Sequence, residues 1–214
     1  MAAQIRIVAL GDSTTAGTPG WKSPLEAPPN GSGDETSQYA FWLKKERPGW
    51  DVLNKGINAQ RSDEIAARFD RDVLGEAPAA VVIIAGVNDV YQGRPAQHVI
   101  DQLSMMFERA AAAGIAIVAG TIIPYNTATL DQNDRMRHIN TWICAQRSTA
   151  SGVPIVVADT RAVVASPSSA DLLFDSPDQL HPTSEGYRRM AFALRPAIER
   201  ALSSRHSSHD DPSR

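Results

Sequence analysis

The sequence of 214 residues contains only one cysteine, Cys144. A single cysteine excludes a disulfide within the chain and is typical of proteins in a reducing compartment, so we expect a cytoplasmic location. Cys144 lies in a helical pattern beside Trp142 and Ile143. We therefore predict that it is a small buried or half-buried residue of the core and not a second nucleophile.

Long apolar runs and a strong excess of one charge are absent as well. The apolar runs end after about six residues, which is too short to span a bilayer. The formal net charge is −3 and the pI is near 5.9, so the chain lacks the basic surface that binds nucleic acid or anionic lipid. The first predicted strand begins almost at Met1, so we expect no signal peptide within this sequence. A precursor whose leader has been removed is the alternative. We expect neither a nucleic-acid partner nor a membrane partner.

Short β-rich runs alternate with helical stretches along the chain. The run at 81–84 consists only of valine and isoleucine, and such strands are typical of a parallel sheet covered by helices on both faces. The alternation predicts an α/β fold with three α/β/α layers, built on a doubly wound, five-stranded parallel sheet in the order 2-1-3-4-5. The predicted strands are 5–10, 51–54, 80–85, 115–121 and 154–158.

Chain length and composition also predict the domain organisation. A chain of this size is typical of a single domain, which we place at residues 1–203. Residues 204–214 hold no large apolar side chain, so we predict a disordered tail. The tail contains His206 and His209 but no structured set of metal ligands. We place His98 and His138 on solvated helix faces, and we predict no metal site.

The segment 18–35 is rich in proline and glycine. It follows the first predicted strand and therefore leaves the carboxyl edge of the sheet, where open α/β sheets bind ligands. Long irregular connections in compact domains are usually functional or disordered. We expect this segment to form one wall of a substrate cleft.

Side chains capable of catalysis follow several of the predicted strands. Ser13 follows the first strand in a Gly-Asp-Ser sequence, Asn88 follows the third, and Asp178 and His181 follow the fifth. Because parallel strands end at one edge of the sheet, we expect these groups to meet there. Together they predict a serine nucleophile, with His181 as its base and Asp178 holding the histidine tautomer. We predict that the oxyanion is bound by the backbone N–H of Ser13, a backbone N–H after the second strand and the Asn88 amide.

Four blocks of the sequence resemble the GDSL or SGNH hydrolase family. They are Gly-Asp-Ser at 11–13, the Gly/Asn-rich loop at 54–61, Gly-x-Asn-Asp at 86–89 and Asp-x-x-His at 178–181. The resemblance implies a flavodoxin-like fold and hydrolysis of esters or thioesters without a metal or other cofactor. It also implies that Ser13 is the nucleophile, His181 the base, Asp178 its partner and Asn88 an oxyanion donor. The Gly-x-Ser-x-Gly elbow of the α/β-hydrolases is absent.

The chain departs from the family pattern at Ala59, where the second block of the family has a glycine. The donor at this place is a backbone N–H, which alanine can supply if its φ is negative. A left-handed backbone would cost a residue with a Cβ about 1–2 kcal/mol. We predict that Ala59 is the third oxyanion donor and that the earlier Gly56 is closely packed backbone.

The sequence says less about the substrate. No long apolar lid is present, which favours short acyl chains or a polar alcohol over insoluble triglyceride. We predict a serine esterase that hydrolyses small carboxylic esters through an acyl-enzyme. Substrate contacts are predicted from side chains that rim the cleft: Trp21, Arg61, Tyr91, Tyr125 and Asn126.

Alternative functions remain open at this point. A lysophospholipase or thioesterase, or a carbohydrate acetylesterase, would differ only in the leaving group, which these blocks do not encode. A flavodoxin-like ligand-binding domain would use the same sheet edge without catalysis. That alternative gives no reason for a serine, an asparagine and an Asp/His pair to meet, and no phosphate-binding glycine pattern supports it.

Overall fold

The computed structural model of the chain describes residues 4–207. Its strands are β1 (Ile5–Gly11), β2 (Trp21–Lys22), β3 (Ser32–Gly33), β4 (Trp50–Gly56), β5 (Ala80–Ile84), β6 (Ala116–Gly120), β7 (Ile155–Ala158), β8 (Ala165–Ser166) and β9 (Ser169–Leu173). Its α-helices are α1 (Ser13–Ala16), α2 (Tyr39–Glu46), α3 (Ser62–Ala67), α4 (Phe69–Asp72), α5 (Val87–Tyr91), α6 (Ala96–Ala112), α7 (Leu130–Ala145), α8 (Thr160–Val164) and α9 (Ser184–Ser207). Short 3₁₀ helices occupy Glu35–Ser37 and Leu74–Glu76.

The central sheet has five strands in the order β4-β1-β5-β6-β7, and every neighbouring pair is parallel. Counted along the chain, this is the predicted order 2-1-3-4-5, so the predicted α/β/α architecture is confirmed. β1 pairs with β4 over its whole length, from Ile5 opposite Trp50 to Gly11 opposite Gly56. The carboxyl ends of β1 and β4 therefore finish side by side.

Helices cover both faces of the sheet. Successive side chains of a strand point to opposite faces, and β1 shows the consequence. Val8 and Leu10 join the core beneath α3, α4, α6 and α7. Ile7 and Ala9 join the core beneath α2, α8 and α9. Continuously apolar strands therefore have both of their faces buried, as the run at 81–84 predicted.

One residue of α7, Cys144, lies on a different face of the helix from the one we predicted. Cys144 is exposed, although we predicted a buried or half-buried position. Met136, Ile139 and Ile143 face the core, and a helix turns about 100° per residue. The residue that follows Ile143 therefore points away from the core. His138 is exposed on the same helix, as predicted.

The last helix continues further than the sequence indicated. α9 extends to Ser207, so the predicted start of a disordered tail at residue 204 was wrong. Residues 208–214 of that prediction lie outside the described residues. Neither α9 nor any other helix within residues 4–207 has the length and apolar character needed to cross a membrane.

Arg68 is a buried cation at the carboxyl edge of the sheet. Its guanidinium donates to the backbone carbonyls of Gly11 and Lys55, each at 2.8 Å, near the ends of β1 and β4. It also donates to the Asp72 carboxylate and to the Gln60 side-chain oxygen, each at 2.7 Å. Burial lowers the pKa of Arg68, and the Asp72 carboxylate opposes this effect. The two strand ends thus share one charged hydrogen-bond donor.

Replacing Arg68 by methionine should lower the free energy of unfolding by about 3–5 kcal/mol, because the buried Asp72 carboxylate would lose a counter-charge. Equilibrium urea denaturation measures this change. Arg71→Met is the matched control, since Arg71 also binds Asp72 but is 66% exposed. The control should cost about 1 kcal/mol or less. Equal losses in the two variants would contradict a special role for the buried guanidinium.

Candidate active site

Ser13 lies in the short helix α1, directly after β1. The preceding Asp12 caps this helix, because its Oδ1 accepts from the backbone N–H of Thr14 at 2.9 Å. The strand β4 approaches α1 so closely that a Cβ on Gly56 would lie 2.0 Å from the backbone nitrogen of Ala16. This confirms the prediction of closely packed backbone at Gly56. The Asp12 cap and the close contact between Gly56 and α1 together hold Ser13 at the carboxyl edge of the sheet.

Residues from the first and last quarters of the chain meet at this edge. His181 Nε2 lies 2.9 Å from Ser13 Oγ, and His181 Nδ1 lies 2.7 Å from Asp178 Oδ2. The other oxygen of Asp178 accepts from the backbone N–H groups of Leu180 and His181, at 3.0 and 2.8 Å. The predicted proximity of serine, histidine and aspartate is therefore found. In this geometry the imidazole can accept the serine proton while its other nitrogen donates to the carboxylate.

The environment of Asp178 favours its charged form. Partial burial acts to raise the pKa of this carboxyl. The hydrogen bonds from the His181 ring and from the two backbone N–H groups outweigh that effect, so the pKa of Asp178 is lowered overall. A charged carboxylate next to Nδ1 holds the histidine in the tautomer that leaves Nε2 free to act as a base.

The three predicted oxyanion donors line the same cavity as Ser13 and His181. Among the described residues, the backbone N–H groups of Ser13 and Ala59 have no hydrogen-bond acceptor. One hydrogen of the Asn88 side-chain amide goes to the backbone carbonyl of Gln60 at 3.0 Å, which orients the amide. Ala59 has a φ of 62°, so the negative φ on which its assignment depended is not found. Its N–H nevertheless remains free at the cavity.

Neighbouring segments hold the loops that carry these donors. Both carboxylate oxygens of Asp89 accept from Ser62, one from its backbone N–H and one from its hydroxyl, each at 2.8 Å. This ties α5, which carries Asn88, to the start of α3. Asp89 thus supports the Asn88 loop by hydrogen bonding, as its place beside Asn88 indicates.

The segment 18–35 supports the loop after β4 from behind. Glu26 Oε1 accepts from the backbone N–H of Asn58 at 2.8 Å, and Ser23 Oγ donates to the Gly56 carbonyl at 2.6 Å. None of its residues is among those that line the cavity. The expectation that it forms a cleft wall was therefore wrong, because its polar groups bond to the back of the loop.

The cavity has a volume of about 190 Å³. Of the predicted substrate contacts, Tyr91 and Tyr125 line it. The lining also includes residues that we did not predict from the sequence: Thr14, Asn58, Val87 and Leu180. Each lies next to a residue of one of the four sequence blocks, and that adjacency could have indicated them. The full lining consists of Ser13, Thr14, Asn58, Ala59, Val87, Asn88, Tyr91, Tyr125, Leu180 and His181.

The remaining predicted contacts lie elsewhere. Trp21 faces a separate groove beside β4. Arg61 is occupied by the Asp63 carboxylate at 3.2 Å and the Gln92 side chain at 3.1 Å. Asn126 bonds to the backbone of Leu173 and of Gln179, at 2.7 and 2.8 Å, and so braces the loop that carries Asp178. None of these three residues lines the cavity, so the structure does not bring them to the predicted site. Other groups hold Arg61 and Asn126, and Trp21 belongs to the short strand β2.

One cluster near the site could hold a cation. Asp63, Asp89 and His98 place potential ligand atoms within 4.8 Å of one another, and His98 Nε2 lies 3.8 Å from Asp89 Oδ1. The predicted solvated face for His98 was therefore only partly right. Both carboxylates already have partners, since Ser62 bonds to Asp89 and Arg61 bonds to Asp63. The absence of a metal cofactor stays a prediction.

Asp12, next to Ser13, has a buried carboxyl group. Its Oδ2 is buried and, among the described residues, has no hydrogen-bond partner. Burial raises the pKa of Asp12 to about 7, against the opposing hydrogen bonds from Thr14. The folded state therefore binds the Asp12 proton more tightly than the unfolded state. The stability contributed by neutral Asp12 is present below pH 3.8 and is lost as the pH rises through about 7.

The variant Asp12→Asn should therefore become more stable relative to the original protein as the pH rises from about 4 to 8. Urea denaturation at a series of pH values measures this difference. Asp34→Asn is the control, because hydrogen bonds from Thr36 lower the pKa of Asp34, so its effect should be constant over that range. A constant difference for Asp12→Asn as well would refute the buried neutral carboxyl.

Comparisons with solved structures reproduce this architecture. A protein of the G-D-S-L family from Desulfitobacterium hafniense DCB-2 superposes with a TM-score of 0.73 at 25% identity, over 91% of this chain and 99% of its own. A GDSL-like lipase from Bacteroides thetaiotaomicron VPI-5482 gives a TM-score of 0.68 at 24% identity, over 92% of this chain and 88% of its own. The second likeness shows the fold alone.

Comparisons of sequence give two further matches. YqeF of Bacillus subtilis (strain 168), an uncharacterized lipoprotein, is 32% identical over 125 residues. The match covers 55% of this chain and 48% of YqeF, so this chain spans about half the length of that curated relative. The model of the GDSL-like lipase/acylhydrolase family matches residues 9–189. This range includes the serine, the asparagine, the aspartate and the histidine that meet at the cavity, and the chain belongs to the GDSL-like lipase/acylhydrolase family of hydrolases.

Proposed function

We propose that this protein is a serine esterase that hydrolyses small carboxylic esters through an acyl-enzyme. The observation that carries the proposal is the continuous hydrogen-bonded chain from Ser13 Oγ through His181 to Asp178, at the wall of a cavity that also presents free N–H groups. A ligand-binding domain without catalysis would not need these three side chains in contact.

The first half of the reaction forms the acyl-enzyme. Ser13 Oγ attacks the ester carbonyl carbon while His181 Nε2 takes the serine proton. The resulting oxyanion accepts hydrogen bonds from the backbone N–H groups of Ser13 and Ala59 and from the Asn88 amide. The C–O bond to the alcohol then breaks, and the alkoxide leaves with the proton from His181.

The second half restores the enzyme. Water attacks the acyl carbon as His181 takes its proton, and the same donors bind the second oxyanion. The bond to Ser13 Oγ breaks, the serine recovers its proton from His181, and a carboxylic acid is released. Throughout, Asp178 keeps the imidazole oriented and stabilises its protonated form.

The dimensions of the cavity support small substrates. Its volume of about 190 Å³ is below the range of roughly 300–1,000 Å³ that is usual for sites of drug-sized ligands. Val87, Leu180 and the ring of Tyr91 give it apolar walls next to the polar donors. We propose short acyl chains and a small-molecule ester as the partner, and the cytoplasmic location stays a prediction.

A fluorophosphonate should label this protein once, and Ser13→Ala should abolish both the label and the hydrolysis of p-nitrophenyl acetate. Intact-mass spectrometry measures the label. A burst of p-nitrophenol before the steady state would report the acyl-enzyme directly. Cys144→Ser is the control for the exposed thiol and should retain the label and the activity. Labelling that persists in Ser13→Ala would place the nucleophile elsewhere.

Ala59→Gly should raise the free energy of unfolding by about 1 kcal/mol, because glycine adopts a positive φ without strain. This value is the net gain after subtracting the larger backbone entropy that glycine loses on folding. Activity should change by less than about threefold, since glycine keeps the N–H, whereas a lost donor costs roughly a hundredfold or more. Urea denaturation and kcat/KM measure the two effects.

Ala77→Gly provides the matched control, since Ala77 also has a positive φ, 46°, but does not line the cavity. It should gain a similar stability and leave kcat/KM unchanged. A large fall in kcat for Ala59→Gly alone would mean that the oxyanion loop depends on the alanine side chain. If neither variant gains stability, the positive φ of Ala59 does not strain the folded protein.

A further inference from the structure

Tyr125 presents a polar group that the reaction above does not use. The side chain is 2% exposed, and its hydroxyl is buried with no hydrogen-bond partner among the described residues. An unsatisfied buried hydroxyl costs stability in the free protein. The other two fully buried tyrosines are satisfied: Tyr39 donates to the Thr15 hydroxyl at 3.0 Å, and Tyr187 donates to the Thr18 carbonyl at 2.6 Å.

The position of Tyr125 connects this unused donor with the substrate. Tyr125 lines the cavity that also holds Ser13, His181 and Asn88. Burial raises the pKa of its hydroxyl to about 12, so the group keeps its proton and can donate at any pH at which the enzyme is studied. Of the four tyrosines of the chain, Tyr91 and Tyr125 are the two that line this cavity.

The exposed ring of Tyr91 packs against the buried ring of Tyr125. The two rings meet edge to face, with centroids 5.9 Å apart, and the Tyr91 side chain is 58% exposed. Exposed side chains change rotamer within nanoseconds, so the Tyr91 ring can move aside without any change in the backbone. Movement of this one ring would open the Tyr125 hydroxyl to a ligand in the cavity.

We propose that the Tyr125 hydroxyl donates a hydrogen bond to a second oxygen atom of the substrate, beyond the ester that is cleaved. The inference rests on the proposed esterase function and names a substrate class within it. The preferred esters carry an ether, hydroxyl or carbonyl oxygen near the reacting group, as acylated polyols, acylated sugars and hydroxyacyl esters do. A hydrocarbon ester of the same size leaves the buried donor unpaired and gains nothing from it.

Matched pairs of esters test the proposal and locate the oxygen. Butyl acetate with 2-methoxyethyl acetate tests an oxygen on the alcohol side, and ethyl 3-methylbutanoate with ethyl 3-hydroxybutanoate tests one on the acyl side. We expect the enzyme to prefer the oxygenated member of at least one pair, with kcat/KM about tenfold higher. In Tyr125→Phe that preference should disappear, so that the ratio of kcat/KM between the two members of the preferred pair falls to about one. A pH-stat follows all four reactions.

Thermal unfolding supplies a readout that is independent of activity. Tyr125→Phe breaks no hydrogen bond within the described protein, so its Tm should stay the same or rise. Tyr187→Phe is the matched control, and its Tm should fall because the bond to the Thr18 carbonyl is lost. An equal fall in both variants would show that the Tyr125 hydroxyl already has a partner in the free enzyme, which overturns the proposal.

The kinetic outcomes separate the two proposals. If the enzyme hydrolyses both members of each pair equally, or if Tyr125→Phe slows all four esters alike, the role of Tyr125 is refuted and the esterase function stands. If no ester is hydrolysed and Ser13 is not labelled, the proposed function itself fails.

Discussion

The buried guanidinium of Arg68 is the interaction on which the geometry of the site depends. β1 ends in the turn that carries Ser13, and β4 ends in the loop that carries Ala59. Buried carbonyl oxygens near strand ends need hydrogen-bond donors. Arg68 binds the Gly11 and Lys55 carbonyls at once, so the nucleophile turn and the oxyanion loop are held at a fixed separation.

Further contacts stiffen each loop from the side away from the cavity. Asp89 joins the Asn88 helix to the start of α3. Glu26 and Ser23 hold the loop after β4 from behind, and Asn126 braces the loop that carries Asp178. Reacting groups must be positioned to within fractions of an ångström, which supporting hydrogen bonds of this kind achieve. The Tyr91 ring differs from these braced groups, because it is 58% exposed.

Two features of the site oppose folding and are tolerated because the surrounding structure holds them. Asp12 buries a carboxyl with one unpaired oxygen beside the nucleophile, and Ala59 adopts a left-handed backbone that costs a residue with a Cβ about 1–2 kcal/mol. Strain and unpaired polar groups of this kind concentrate at functional sites, where the protein's geometry is set by the reaction and not by local stability. Their presence next to Ser13 and Asn88 agrees with that rule.

The sequence by itself determined the layered fold and the identity of the serine, histidine and aspartate that meet, whereas the strand order was predicted only as the common five-stranded arrangement. Hydrophobic periodicity and turn residues are local properties, and parallel strands bring their carboxyl ends to one edge whatever the loops do. Only the tertiary structure decided where the loop side chains point. Asn126 was misjudged because partners distant in the chain, Leu173 and Gln179, hold it beside the loop that carries Asp178. Trp21 was misjudged because its own segment folds back and pairs it with Gly33, beside a different groove. The loop that carries Ala59 is likewise held by a contact across the fold, the bond from the Asn58 N–H to Glu26, 32 residues earlier in the chain. A short stretch of sequence does not encode such a hydrogen bond, so the backbone of Ala59 could not be predicted from it.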